Sequence, residues 1–198
     1  MFKKQRFEKR SVKKQQAFTL IELMVTLAVL GIAMGIAIPS FNTQILNNRS
    51  VALGEDFALA LNLARSEAVK RSTRVSVCAS TDGATCNGAA NNWRGGFIAV
   101  VDRAPADNTP APQLTDVANP VAVVLRVWPA QNAQADIQVT AAGNAISFIR
   151  YTGLGTLARV TNNPITIDAE MTHCSGDAGR TITIGLAGLV GVKRKTCN

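Results

Sequence analysis

The sequence predicts an α+β protein: one long amino-terminal helix, followed by a head built on an antiparallel β-sheet. Three patterns carry that expectation. A basic segment leads into an apolar run at the amino end, a proline-free stretch of helical periodicity follows, and the rest changes to short segments of period two separated by Gly, Pro, Asn and Asp. The 198 residues are 47% hydrophobic and 17% charged, which excludes a wholly disordered or fibrous chain. The net charge of +8 points to a nucleic-acid partner only if it is spread over the fold, and it is not. Lys3, Lys4, Arg6, Lys9, Arg10, Lys13 and Lys14 face a single acid, Glu8, within residues 1–17, and the remainder is close to neutral.

The first element is the apolar run from Phe18 to Ile38, in which Glu22 is the only charge. A helix of that length spans about 31 Å, close to the hydrocarbon thickness of a bilayer. A basic flank ahead of it reads as an anchor whose amino end stays in the cytoplasm. The competing reading is a secretory signal peptide cleaved behind the run, for which Gly35-Ile36-Ala37 offers a small-x-small site. The length of the run and the early carboxylate oppose it. Glu22 is the informative residue, because a carboxylate inside a membrane helix costs about 2.5–3.5 kcal/mol and so implies a partner. The plain alternative is a side chain near enough to the interface to stay hydrated.

The string Ala17-Phe18-Thr19-Leu20-Ile21-Glu22 behind a basic leader resembles the prepilin signature of type IV pilins and type II secretion pseudopilins. The resemblance implies that a prepilin peptidase cuts between Ala17 and Phe18 and methylates the new amine of Phe18, and that the apolar helix is retained. It casts Glu22 as the counter-ion of the Phe18 amine in a neighbouring subunit, a pairing that offsets much of the desolvation of both charges. The family usually has Gly where this chain has Ala17. Pro39 sits where many pilins carry a helix-kinking proline.

Behind the anchor, Phe41, Ile45, Val51, Phe57, Leu61, Ala64 and Ala68 recur at roughly helical spacing, and Arg65, Lys70, Arg71 and Arg74 gather at the end, complementing the helix dipole. One helix over about residues 18–72 is the simplest account, with bending plausible at Gly31, Gly35, Pro39 and Gly54. Strands are expected at Thr73–Ala79, Gly96–Asp102, Val121–Val127, Asp136–Thr140, Ala145–Tyr151, Pro164–Ala169, Arg180–Gly185 and Leu189–Lys193. The amphipathic half of the helix supplies the layer such a sheet needs. The proline-rich segment Arg103–Pro120 reads as a mobile loop. Four cysteines allow three pairings. In an exported head the reading takes Cys78–Cys86, closing the loop after the first strand, and Cys174–Cys197, tying down the carboxyl end. Zinc beside His173 is the rival, but neither a C-x2-C spacing nor a second histidine exists, so no metal and no cofactor is expected.

The body segments Trp93-Arg94-Gly95-Gly96-Phe97-Ile98-Ala99-Val100-Val101-Asp102, Leu125-Arg126-Val127 and Ile146-Ser147-Phe148 before Gly153 look, in that order, like the GspH/FimT/FimU branch of minor pilins and pseudopilins. Taken alone they are strand cores with turn glycines. The resemblance implies a type IV pilin-like fold organised as leader 1–17, transmembrane and polymerisation helix 18–39, amphipathic helix 40–72 and periplasmic head 73–198. The expected function is that of a minor pilin or pseudopilin priming or capping a fibre. The expected partners are other minor and major pilins, the prepilin peptidase and the inner-membrane assembly platform. Two alternatives stay open: a type II secretion pseudopilus tip subunit, and a FimT-like DNA receptor. The receptors carry a Gly-Arg-x-Arg motif where this chain reads Gly188-Leu189-Val190-Gly191, although Lys193-Arg194-Lys195 follow and can meet a few phosphates. No nucleophile elbow, Walker loop, dinucleotide fingerprint or zinc-protease helix occurs. Asp168 and Glu170 would share a strand face, but they read as a solvated pair, and no enzyme is expected.

Overall fold

The computed structural model describes residues 18–158 and 163–197, apart from the side chains of residues 36–40. The chain forms two units, residues 1–41 and 42–198. The helix α1 (Leu20–Arg71) runs from the first into the second. It ends as its sequence dictates. Ser72 takes a left-handed backbone (φ 51), Thr73 N–H donates to the Ala68 carbonyl, and Ser72 N–H donates to that of Val69. This double bond satisfies carbonyls that a helix end leaves free. Lys70 and Arg71 in the last turn both pair with Glu67, whose carboxyl is held below its usual range chiefly by the hydrogen bond from Arg71.

The strands of the second unit are β1 (Arg74–Ala79), β2 (Phe97–Asp102), β3 (Val124–Trp128), β4 (Ala135–Ala141), β5 (Asn144–Ala145), β6 (Phe148–Tyr151), β7 (Ile165–Met171), β8 (Gly179–Ile184) and β9 (Val190–Lys195). They form two antiparallel sheets, ordered β3-β2-β1-β6 and β5-β4-β7-β8-β9. Leu53, Phe57, Leu61, Ala64 and Ala68 of α1 join the inner residues of both sheets in one core. Phe57 sits against Phe97 (4.8 Å between ring centres) and Trp93 (5.5 Å), and Phe97 stacks on Trp128. Such aromatic pairs add about 0.5–1.5 kcal/mol each beyond the area they bury. Gly54 lies where α1 crosses Arg180: a Cβ there would run into the Arg180 stem, so only glycine permits the approach.

Two expectations are corrected. Ala145–Tyr151 is not one strand. Asn144–Ala145 closes a hairpin on β4, whereas Phe148–Tyr151 pairs with β1 in the other sheet. Ile146 and Ser147 carry the chain across: Ile146 N–H still donates to Val139, Ser147 already accepts from Ala79 N–H, and the Trp93 indole caps the Ile146 carbonyl at 2.8 Å. Period-two alternation runs through such a crossing unchanged, because it reports the buried face and not the partner strand.

Nor is Arg103–Pro120 loose throughout: it is a loop without regular structure, as expected, but its part up to Leu114 is tied down. It lies over the back of the first sheet, where Leu114 packs with Cys78, Ile98 and Val100. Arg150, fully buried, donates to Asp102 Oδ2 (2.7 Å) and to the carbonyls of Asp107, Thr109 and Ala111. The other Asp102 oxygen accepts the N–H groups of Ala104 and Gln113, and Ser76 adds a hydroxyl to the first. A single guanidinium supplies the donors that this irregular backbone needs in order to lie against the sheet.

Candidate assembly and anion-binding surfaces

At the amino end Phe18 is 80% exposed, and Thr19 caps α1. Its hydroxyl accepts Glu22 N–H at 3.3 Å and its carbonyl accepts Leu23 N–H at 3.2 Å. Thr19 and Glu22 thus have the spacing of a capping box, a signal that the sequence itself carries. Glu22 lies in the first turn, where the positive end of the helix dipole favours a carboxylate. It is exposed and has no ion-pair partner among the described residues. Leu20, Ile21, Leu23, Met24, Val25, Leu27, Val29, Leu30, Ile32 and Met34 surround it, all exposed. A helix apolar on every side needs lipid or other helices around it. Ala17 and the leader lie outside the described residues. Among the described residues no helix is long and apolar enough to cross a membrane.

Disulfides join Cys78 to Cys86 and Cys174 to Cys197, and no described cysteine is free. The Cys78–Cys86 loop is further ordered by Asp82. That carboxylate accepts the Thr85 hydroxyl and the N–H groups of Thr85 and Ala84, which hold it well below the usual carboxylate range. Glu170 approaches both sulfurs of the second bridge. With those sulfurs bonded to each other, the set offers a metal no thiolate. His173 is exposed in the adjoining turn.

The basic triplet falls on β9, at the edge of the second sheet, and strand alternation divides it. Lys193 and Lys195 project to the outer face, opposite Thr181 and Gly179, while Arg194 lies opposite Arg180 on the other face. Lys195 then reaches past the side-chain-free Gly179 to Glu170, its Nζ 2.9 Å from Oε2. The approach is that of an ion pair lying off the hydrogen-bond direction, because the same oxygen has no hydrogen-bond donor in line. One of the three cations is therefore already neutralised, and the other two point apart. Asp168 and Glu170 do share the outer face, lining a groove of about 250 Å³ with Asp136, Gln138, Thr172 and Lys195. Asp168 is engaged by the Thr181 hydroxyl, and Glu170 by Lys195.

Residues 53–188 match the family described as Type II transport protein GspH, and residues 12–38 match the Prokaryotic N-terminal methylation motif. Two crystal structures of the Pseudomonas aeruginosa (strain PAO1) type IV minor pilin FimU have a similar fold. The one in space group P21 gives a TM-score of 0.51 at 21% identity over 76% of this chain and 96% of that one. The one in P65 gives 0.50 at 20% identity over 74% and 98%. No curated protein matches. With the family match covering most of the chain, and with a long amino-terminal helix running into an antiparallel head as in FimU, the protein belongs to the GspH family of minor pilins and pseudopilins, structural subunits rather than enzymes.

Proposed function

We propose that the chain is cut between Ala17 and Phe18 by a prepilin peptidase and methylated on the Phe18 amine. Residues 18–39 then hold it as a single-pass inner-membrane helix with a periplasmic head. From there the assembly platform incorporates it into a type IV pilus, where it primes or caps the fibre. The observation that carries this reading is Glu22. It is a carboxylate with no ion-pair partner among the described residues, in the capped first turn of a helix whose opening stretch is apolar on every side. Such a group is unfavourable in lipid without a cation beside it, and the Phe18 amine of an adjacent subunit would supply one. The match to the type II transport family favours a second reading, a subunit of a secretion pseudopilus. Mass spectrometry of sheared fibres tests both. A peptide beginning at methylated Phe18, found beside other minor pilins, is expected. Co-purification with secretion subunits alone would select the second reading, and mature chains beginning at Met1 or after Ala37 would sink both.

A further inference from the structure

We infer that the Cys174–Cys197 disulfide acts through Asn47 and Ser50 as a clasp that sets where the head begins to hold α1. Within the second unit, residues 42–45 are exposed, whereas Ser50 is wholly buried and Leu46 and Val51 pack on the core. The polar partners of Asn47 and Ser50 lie at the last residue of β7 and in the turn that follows it. The Asn47 side chain accepts Ser175 N–H at 2.9 Å and donates to the Ser175 hydroxyl at 3.3 Å. The Ser50 hydroxyl accepts Met171 N–H at 3.2 Å and donates to Cys174 Sγ at 3.7 Å.

That turn is not self-sufficient. His173 (φ 67) and Gly176 (φ 61) both take left-handed backbone, which is unfavourable for a residue with a side chain such as His173. Apart from α1, it is held by Cys174 N–H on the Met171 carbonyl, by Thr172 on the Gln134 carbonyl and by Arg180 on the Asp177 and Ala178 carbonyls, and from the β9 side by Cys197 N–H on the Gly176 carbonyl, the Thr196 hydroxyl on Asp177 and the disulfide. The bridge is the covalent tie from the β9 side, and the turn in its place holds Asn47 and Ser50, three residues apart on one face of α1. Further along, α1 is held independently, by Leu53 and Phe57 in the core and by Glu55 at 3.4 Å from Arg180. The clasp thus governs residues 46–51 and not the rest of the helix. Asn47 and Ser50 are positioning residues in this scheme. Its consequence in a fibre rests on the proposed function: the stretch of α1 left free to bend or repack against neighbouring helices would stop at the clasp.

A bridge that merely staples the carboxyl end makes a different prediction, since its loss would loosen β9 and leave residues 46–51 alone. Hydrogen exchange read by mass spectrometry, on the full chain in detergent micelles, separates the two. In Cys174→Ser/Cys197→Ser, amides of residues 46–51 and 172–176 should exchange about tenfold faster or more, while those of Phe57–Ala68 keep their protection. Unchanged exchange at 46–51 would overturn the inference, as would a loss spread evenly over α1 and both sheets. Should that variant not fold, Asn47→Ala/Ser50→Ala with the bridge intact decides the matter. It should release residues 46–51 without loosening β9, and wild-type exchange there would equally overturn the clasp. Neither readout depends on fibre formation, so failure of the clasp and failure of the pilin reading are distinguishable.

Discussion

Arg150 and Asp102 form an ion pair in which neither side chain is reached by solvent. Removing one member of such a pair strands the other charge in a low-dielectric interior, a loss of about 3–5 kcal/mol. Arg150→Met should therefore destabilise the detergent-solubilised chain by that order, read as a lowered urea midpoint, and it should open the 103–113 segment to limited proteolysis. Cleavage there at the wild-type rate would show that the carbonyl contacts do not hold the segment. Tyr151 makes a contrasting case. Its hydroxyl is buried without a hydrogen-bond partner among the described residues, and burial pushes the phenol well above its ordinary value, with the charge of Arg65 pulling the other way. The folded chain thus keeps a proton that the unfolded chain releases above pH of about 10. Stability from this group is complete below that pH and is lost as pH rises beyond it. Tyr151→Phe should remove this alkaline loss and be neutral or stabilising by about 1 kcal/mol near pH 7, because a buried, unpaired hydroxyl disappears. Tyr151 is the chain's single tyrosine, so absorbance at 295 nm reports its titration alone. Ionisation at the ordinary value in the folded chain would contradict the packing.

At the scale of elements, β9 shows why a run of like charges is not yet a binding surface. Alternation sends Lys193 and Arg194 to opposite faces, and Lys195 is engaged by a carboxylate that is itself nearly buried. Lys195→Ala should be destabilising by about 1–3 kcal/mol, since it leaves Glu170 desolvated and unpaired, whereas Lys193→Ala should fall within about 0.5 kcal/mol of wild type. Equal effects on urea midpoints would refute this division of roles. With only two dispersed cations of the triplet left over, the chain processed at Phe18, freed of the basic leader and held in detergent, should bind duplex DNA weakly at physiological salt. Sub-micromolar binding that disappears in Lys193→Ala/Arg194→Ala would restore the receptor alternative. The strands themselves were largely legible, because half-buried strands write their periodicity and their turn residues into the sequence. What was not legible depended on partners distant in the chain. The split between β5 and β6 is set by which sheet each pairs with, and the anchoring of 107–111 is set by Arg150, some forty residues further on. Arg150 was nonetheless visible as a charge in the middle of an apolar strand, a pattern that asks for a buried acid such as the one ending β2. The Thr19–Glu22 cap was readable too, at a spacing of three.

For the whole molecule, the decisive quantity is the free energy of one carboxylate in two surroundings. Alone in a bilayer Glu22 is unfavourable by about 2.5–3.5 kcal/mol. The first-turn dipole returns only about 0.3–1 kcal/mol. Insertion as a monomer therefore works against this residue, and assembly, which would bring an amine from a neighbour, works for it. Glu22→Ala should accordingly insert in the membrane as well as wild type yet reach fibres less, lowering the fibre-to-membrane ratio several-fold when both fractions are quantified by mass spectrometry. Glu22→Gln refines the test, since it keeps the shape and the hydrogen-bonding capacity while losing the charge. If charge pairing drives incorporation, Gln should fail nearly as badly as Ala. Normal incorporation of the Gln variant would assign the role to a neutral hydrogen bond. Normal incorporation of both variants would leave the acid no part in assembly, and only its favourable place at the positive end of the α1 dipole would then account for it.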